Sequence, residues 1–262
     1  MLPSPVSSPT SPRIHRLAAF FYGVFAYGVF CIACLYSMGF IGNLVVPKAI
    51  DAVPELSLLP ALAIDLGVLG LFAVQHSVMA RKGFKQWWTQ WVPTVVERST
   101  YVLFSSVALI VLFWLWQPLG GMIWTVENPV GKTALYGMYG LGWVIVAIST
   151  FLIDHFDLFG LRQVYLFLKG KPYADLPFIT PGFYRYVRHP LYVGWLIIFW
   201  ATPTMTLTHL LFAVITSLYI LVAVQFEERD LVQVYGESYA RYQKQVPMLI
   251  PFSKLIPFLK YR

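Results

Sequence analysis

Residues 191–226 read LYVGWLIIFWATPTMTLTHLLFAVITSLYILVAVQF, 36 positions without one Asp, Glu, Lys or Arg. As a single helix this stretch would be about 54 Å long at 1.5 Å per residue, far more than the roughly 30 Å of hydrocarbon in a bilayer. Its middle, Thr202-Pro203-Thr204-Met205-Thr206, supplies a break. Proline ends helices, and hydroxyls serve backbone groups that a turn leaves unpaired. The stretch therefore predicts two short helices forming a hairpin. Four more apolar runs precede it, at 17–41, 58–80, 101–119 and 134–156, each close to the ~20 residues that one crossing needs. Composition agrees, with 58% hydrophobic and 12% charged residues, against about 25% charged in soluble domains. The fold class this predicts is all-α: a polytopic membrane helical bundle of five to six spans, closed by the hairpin.

Basic residues orient such a chain, because cytoplasmic loops are rich in Lys and Arg. The N-terminus, the loops after the second and fourth runs, and the C-terminal tail together hold 17 of the 19 basic residues; Lys48 and Lys132 fall in the alternate loops. Both termini are expected on the cytoplasmic side, with an even number of crossings, in what reads as a bacterial inner-membrane protein. The net charge of +7 then points to anionic lipid headgroups. No region has the pattern of a nucleic-acid-binding module, and nothing implies an obligate protein partner. Cys31 and Cys34 lie inside the first run and read as small apolar residues, not as a redox or metal pair. Residues 1–12 are Pro/Ser-rich and predict a disordered tail. Residues 13–262 predict a single membrane domain.

Ionisable groups inside or at the ends of spans are functional candidates. Asp65, Gln75 and His76 lie in the second run, Asp154 and His155 near the end of the fourth, and His209 at the start of the last helix. The densest local feature is Arg188-His189-Pro190-Leu191-Tyr192-Val193-Gly194-Trp195. Pro190 suits the first turn of a helix, and Gly194 permits close approach to the backbone. The other leg of the hairpin ends at Phe226-Glu227-Glu228-Arg229-Asp230. Adjacent carboxylates after about 20 apolar residues are costly without partners or water, and they oppose the dipole of a helix ending there. A hairpin sets its two ends side by side. His189, Tyr192, Gly194, Glu227 and Glu228 are therefore expected to converge on one pocket suited to a cationic or hydroxyl-rich small molecule. Beyond them, Leu231, Tyr235, Tyr239, Tyr242 and Val246 recur at helical spacing, which predicts an amphipathic surface helix over 229–246.

The series Arg188-His189-Pro190-x-Tyr192-x-Gly194, Glu227-Glu228-Arg229-x-Leu231, Tyr235-Gly236-x-x-Tyr239-x-x-Tyr242 and Val246-Pro247-x-x-Ile250-Pro251 resembles the isoprenylcysteine carboxyl methyltransferase and phospholipid methyltransferase superfamily. The upstream segments Gly39-Phe40-Ile41-Gly42-Asn43, Gln75-His76-Ser77, Glu97-Arg98-Ser99-Thr100-Tyr101 and His155-Phe156-Asp157-Leu158-Phe159-Gly160-Leu161-Arg162-Gln163 are similar to the membrane methanethiol S-methyltransferases, which neighbour the NnrU-like proteins. The resemblance implies S-adenosylmethionine as cofactor, bound within residues 184–251. Arg188, His189, Pro190, Tyr192 and Gly194 would contact it, and Glu227 and Glu228 would hold its ribose or amino group. The implied acceptor is a small thiol, methanethiol, giving dimethyl sulfide. Such a reaction needs a base for the thiol proton, with His76, Asp154 and His155 as candidates; Arg162 would orient a carboxylate or stabilise the thiolate. No metal is required. Two alternatives stand beside this reading. One is methylation of an isoprenylcysteine carboxylate or a phospholipid amine; the other is a haem- or quinone-binding subunit using His76, His155 and His209.

Overall fold

The computed structural model describes residues 12–251, so the tail expected over 1–12 lies outside them but for Pro12. In chain order the helices are α1 (Arg13–Gly42), α2 (Leu58–Ala80), α3 (Lys82–Trp88), α4 (Thr94–Leu115), α5 (Pro129–Leu152), α6 (His155–Leu158), α7 (Leu161–Leu168), α8 (Pro190–Trp200), α9 (Leu207–Tyr235) and α10 (Glu237–Gln245). Two short strands, β1 (Met122–Thr125) and β2 (Thr204–Thr206), pair antiparallel. Five helices, α1, α2, α4, α5 and α9, are long and apolar enough to cross a membrane. The chain is an integral membrane protein of the all-α class. It divides into two compact units: one takes the chain through Gly120 with Asp154–Asp175, the other Gly121–Ile153 with the chain from Leu176 onward.

In the first unit α1 packs on α4 and α7, and α2 packs on α4. The segment after α1 is tied down at one end of this bundle. The Asn43 amide donates to Asp51 at 2.6 Å, Lys48 Nζ to Trp114 O at 2.9 Å, and the Trp116 indole to Ile50 O at 3.1 Å. Buried Asp65 accepts the Gln117 N–H at 2.8 Å, which gives that intramembrane carboxylate a structural partner. Away from this loop, α6 and α7 form a short helical elbow. Its Gly160 has φ +85° and sits so close to α4 that a Cβ would fall 2.7 Å from Ser99 N. Both conditions call for glycine.

In the second unit the dominant packing is α5 against α8. A Cβ on Gly194 would lie 2.9 Å from Gly142 O, and one on Gly142 would lie 2.9 Å from Gly194 O. The two helices thus cross backbone to backbone, the close packing that small residues allow between membrane helices. The break at Thr202–Thr206 takes the form of β2. The pairing with β1 is extended by Val126 N–H to Pro203 O at 2.8 Å and Leu207 N–H to Gly121 O at 2.7 Å.

Three expectations need correction. The hairpin is unequal: α8 has 11 residues and α9 has 29. Helix α9 does not stop at the carboxylates but runs through them to Tyr235, since no Gly or Pro interrupts 207–235. The helix expected over 229–246 is therefore divided, its first part belonging to α9; Gly236, at φ 56°, makes the turn into α10. Finally, α5 ends at Leu152, so Asp154 and His155 lie beyond the fourth span. Asp154 adopts φ 80°, a left-handed conformation that no helix continues.

Candidate active site

The two carboxylates sit on consecutive positions of α9, about 100° apart around the helix, and they meet different surroundings. Glu228 is 8% exposed and turns to the start of α8. Its Oε1 accepts from Arg188 Nε at 2.5 Å and lies 3.0 Å from His189 Nε2. Its Oε2 accepts from Arg188 Nη2 and from Gln243 Nε2, each at 3.0 Å. The remaining guanidinium nitrogen of Arg188 donates to Gln243 O at 3.0 Å and Val246 O at 2.6 Å. The backbone completes the arrangement, with Arg188 N–H bonded to Pro247 O and His189 N–H to Met248 O. A buried carboxylate needs partners of this strength to stay ionised. Glu228 has them all from the protein, and it joins α8, α9, α10 and the segment after α10.

Glu227, by contrast, keeps a side chain 40% exposed. It accepts from Tyr192 Oη at 2.7 Å and lies 4.0 Å from His189 Nδ1. His189 thus stands between the two carboxylates, with one ring nitrogen toward each. Tyr192 stands in the first turn of α8, which Pro190 opens with its missing N–H at a position where none is needed. Around this centre Phe178 packs on Tyr235, Tyr239 and Tyr242, and Tyr242 Oη donates to Tyr184 O. Burial pushes the Tyr242 hydroxyl up to about 12, against the pull of Arg188, so this phenol stays a protonated donor. Of the residues expected to converge, His189, Tyr192, Glu227 and Glu228 do so. The space that Gly194 leaves open is taken by α5.

The base candidates belong to the first unit. His76 lies between Tyr101 Oη, 3.0 Å from Nε2, and Ser105 Oγ, 3.1 Å from Nδ1, and its ring stacks on Phe72. The Nε2 of His155 is 2.7 Å from Tyr27 Oη, and its ring tilts against Phe159 at 4.7 Å. Burial lowers the pKa of His155, opposed by the neighbouring Asp154 carboxylate. Asp154 caps α6 by accepting the Asp157 N–H at 3.0 Å. Arg162 donates to Asp157 Oδ1 at 2.8 Å and to Ala174 O at 3.1 Å, and it lies over the Tyr173 ring. Burial works against the charge of Arg162, but the bond and charge of Asp157 outweigh it and raise its pKa. Asp154 and Arg162 therefore meet through Asp157. Sequence reasoning passed over Asp157, Tyr27 and Gln243. The first stands in the quoted 155–163 motif; the other two have no local sign. His209 is fully buried, with Nε2 3.1 Å from Phe199 O. Among the described residues no group of three or more His, Cys, Asp or Glu side chains could hold a metal ion.

The phospholipid methyltransferase family matches residues 133–238, which take in most of α5, all of α8 and α9, and both carboxylates. A methanethiol S-methyltransferase of Crocosphaera subtropica is 59% identical over 239 residues, covering 91% of this chain and 94% of that protein. One from Mycobacterium tuberculosis is 51% identical, covering 90% of this chain and 97% of its own. Another, methanethiol S-methyltransferase 1 of Bradyrhizobium diazoefficiens, is 50% identical over 94% of this chain and 87% of its own. The chain belongs to the methanethiol S-methyltransferase family. Membership makes it a membrane methyltransferase, so its reaction requires a methyl donor and a small-molecule acceptor. The haem- or quinone-binding alternative gives way to this, because it left both the carboxylate pair and the 188–195 motif without a role. No solved structure matches the chain.

Proposed function

We propose that the protein transfers a methyl group from S-adenosylmethionine to methanethiol, forming dimethyl sulfide. The observation that carries the donor assignment is the division of labour in the carboxylate pair: Glu228 is saturated by the protein, while Glu227 is held at one oxygen by Tyr192 and is 40% exposed. A half-exposed, oriented carboxylate suits an ammonium group or ribose hydroxyls, both present on the donor. When bound, S-adenosylmethionine supplies an electrophilic methyl group on a sulfonium. Glu227 binds and orients, with Tyr192 fixing its rotamer. Glu228 positions Arg188 and His189, and through Gln243 it holds α10 against α9.

The acceptor side needs the thiolate, which is the nucleophile. His155, held by Tyr27 at 2.7 Å beyond the end of the fourth span, takes the thiol proton in its neutral form, with His76 and Asp154 as the alternative bases. Tyr27 orients that ring, and Arg162 holds the 154–175 segment through Asp157. In-line alignment of sulfur and methyl is then a proximity effect. We place this chemistry on the cytoplasmic side, with both termini there. The pairing of β2 with β1 supports the even crossing count, because α8 returns the chain to the strand that precedes α5.

The test is to incubate purified protein with labelled S-adenosylmethionine and a panel of thiols, amines and carboxylates. Methyl transfer to methanethiol is expected. Label passing only to a prenylated cysteine or a phospholipid amine overturns the acceptor assignment, and no transfer from this donor overturns both.

A further inference from the structure

The first unit carries a groove of about 720 Å³, lined by α1, α4, α7 and the segment following α3. Its walls come from Ala18, Tyr22, Trp88, Val96, Phe104 and Phe167, among other apolar residues. That volume lies within the roughly 300–1,000 Å³ of ordinary ligand sites. None of it is used by the chemistry proposed above.

The groove has a polar end and an apolar end. Along α4 its lining runs from Val95, at the helix start, to Phe104, about 14 Å at the helical rise. Along α1 it runs from His15 to Tyr22. At the polar end the N-cap of α4 is Pro93, which offers no side-chain acceptor; the first-turn N–H groups of a helix so capped suit an anion. Two further donors lie there. Trp88 lines the groove, and among the described residues its indole N–H is buried without an acceptor, as is the hydroxyl of Thr94, which stands between the lining residues Pro93 and Val95. Leaving such groups unmet costs about 1–3 kcal/mol each. The segments 13–22, 82–97 and 164–171 that build the groove carry Arg13, Arg16, Lys82, Lys85, Lys169 and Lys171, against one carboxylate, Glu97, in the first turn of α4. Trp87 and Trp91 are exposed beside it, and tryptophan favours the headgroup level.

From this geometry we infer that the groove holds one anionic phospholipid. Its phosphate lies at the start of α4, accepting from Trp88 and Thr94, and an acyl chain runs toward Phe104. The basic residues favour a net-negative headgroup over a zwitterionic one. This inference stands apart from the methyl-transfer reading and survives or fails without it.

The experiment is native mass spectrometry of the full chain in mild detergent, after incubation with equal amounts of phosphatidylglycerol and phosphatidylcholine. One phosphatidylglycerol should be retained in preference. Trp88→Phe, which keeps an aromatic ring but removes the donor, should weaken retention roughly tenfold. Ala18→Trp, which fills the exposed mouth, should abolish it. Equal retention of the two lipids, or retention unchanged in both variants, overturns the proposal. So does stronger lipid binding after deletion of residues 2–11, because the groove would then belong to the chain's own N-terminal segment.

Discussion

Each unit of this protein gathers a non-helical stretch of chain around one carboxylate, and the two gatherings differ in depth. Asp157 receives Arg162 at 2.8 Å, Gln163 Nε2 at 3.3 Å and Tyr173 Oη at 3.4 Å. Glu228 receives Arg188, His189 and Gln243. In each case an arginine, an amide and a ring side chain serve one acid. The side chains of Arg162 and Asp157 are 25% and 20% exposed, whereas those of Arg188 and Glu228 are 9% and 11%. Water can replace the partners of the first acid but not those of the second. Beside the deeper hub stands a second carboxylate, Glu227, with a side chain 40% exposed, and to it we assign the donor.

The sharpest test of that difference is removal of Glu228. Glu228→Ala leaves the Arg188 guanidinium buried beside carbonyls alone. Breaking a buried pair by deleting one partner costs about 3–5 kcal/mol. Thermal unfolding in detergent should show a large loss, with the segment at 243–248 becoming protease-sensitive. A variant as stable as the parent would mean that Glu228 does not hold this segment.

Next in size is the effect of the base. His155→Gln should lower turnover by about 10² with little change in donor affinity. Its pKa is lowered, so the folded protein binds fewer protons at this site than the unfolded chain does. By linkage, the contribution to stability is present above the ordinary histidine value of about 6.5 and is lost as pH falls below it. Two signs follow. The parent should lose stability on acidification through that window by more than His155→Gln does, and the rate deficit of the variant should shrink toward pH 9.5, as thiolate forms unaided near an ordinary thiol value of about 8.5. Dimethyl sulfide measured by gas chromatography between about pH 6 and 9.5 reads both the loss and its slope. If His76→Ala shows this behaviour and His155→Gln does not, the proton goes to the other histidine.

Glu227→Gln separates the two functions of the pair. It keeps an acceptor for Tyr192 and removes the charge. S-adenosylmethionine affinity, by isothermal titration, should fall roughly tenfold, the loss of one charge-assisted hydrogen bond. The unfolding temperature should hardly move, because this carboxylate is 40% exposed and the variant keeps its tie to Tyr192. Equal loss of stability in Glu227→Gln and Glu228→Ala would erase the distinction between them.

What the sequence discloses follows from how local each cause is. Apolar runs long enough to cross a bilayer are local, and four of the five long helices could be read from them directly. The break at Thr202–Thr206 is local too, because Pro203 cannot continue a helix. Where α9 ends is not local. Glu227-Glu228-Arg229-Asp230 looks like a terminus, and it is helix interior because Arg188, forty positions earlier, neutralises Glu228, with His189 Nε2 3.0 Å from the same carboxylate. Asp154 likewise looks like span, and it breaks α5 because the elbow after it is fastened to α4 by Arg98 Nε on Leu158 O at 2.9 Å. That the 188–195 and 227–228 motifs meet was legible. The unequal roles of the two carboxylates were not, since adjacent residues of one type differ only in what surrounds them.

Asp157→Asn should have the smallest effect and completes the comparison. The Arg162–Asp157 pair is partly exposed, so water can solvate the guanidinium once the charge is gone, and the shorter-charged amide still accepts one hydrogen bond through its carbonyl oxygen. Pairs of this kind contribute up to about 1 kcal/mol. Tyr173, whose hydroxyl burial and the nearby Asp157 push up to about 12, stays protonated in either protein and loses one long acceptor contact of 3.4 Å. Since ions screen exposed pairs far more than buried ones, the stability gap between parent and Asp157→Asn should narrow between low salt and about 0.5 M salt. The gap for Glu228→Ala should persist. Thermal unfolding at the two ionic strengths measures both gaps. If the Asp157→Asn gap stays as wide in salt as that of Glu228→Ala, Asp157 is as shielded from water as Glu228, and the two hubs do the same work.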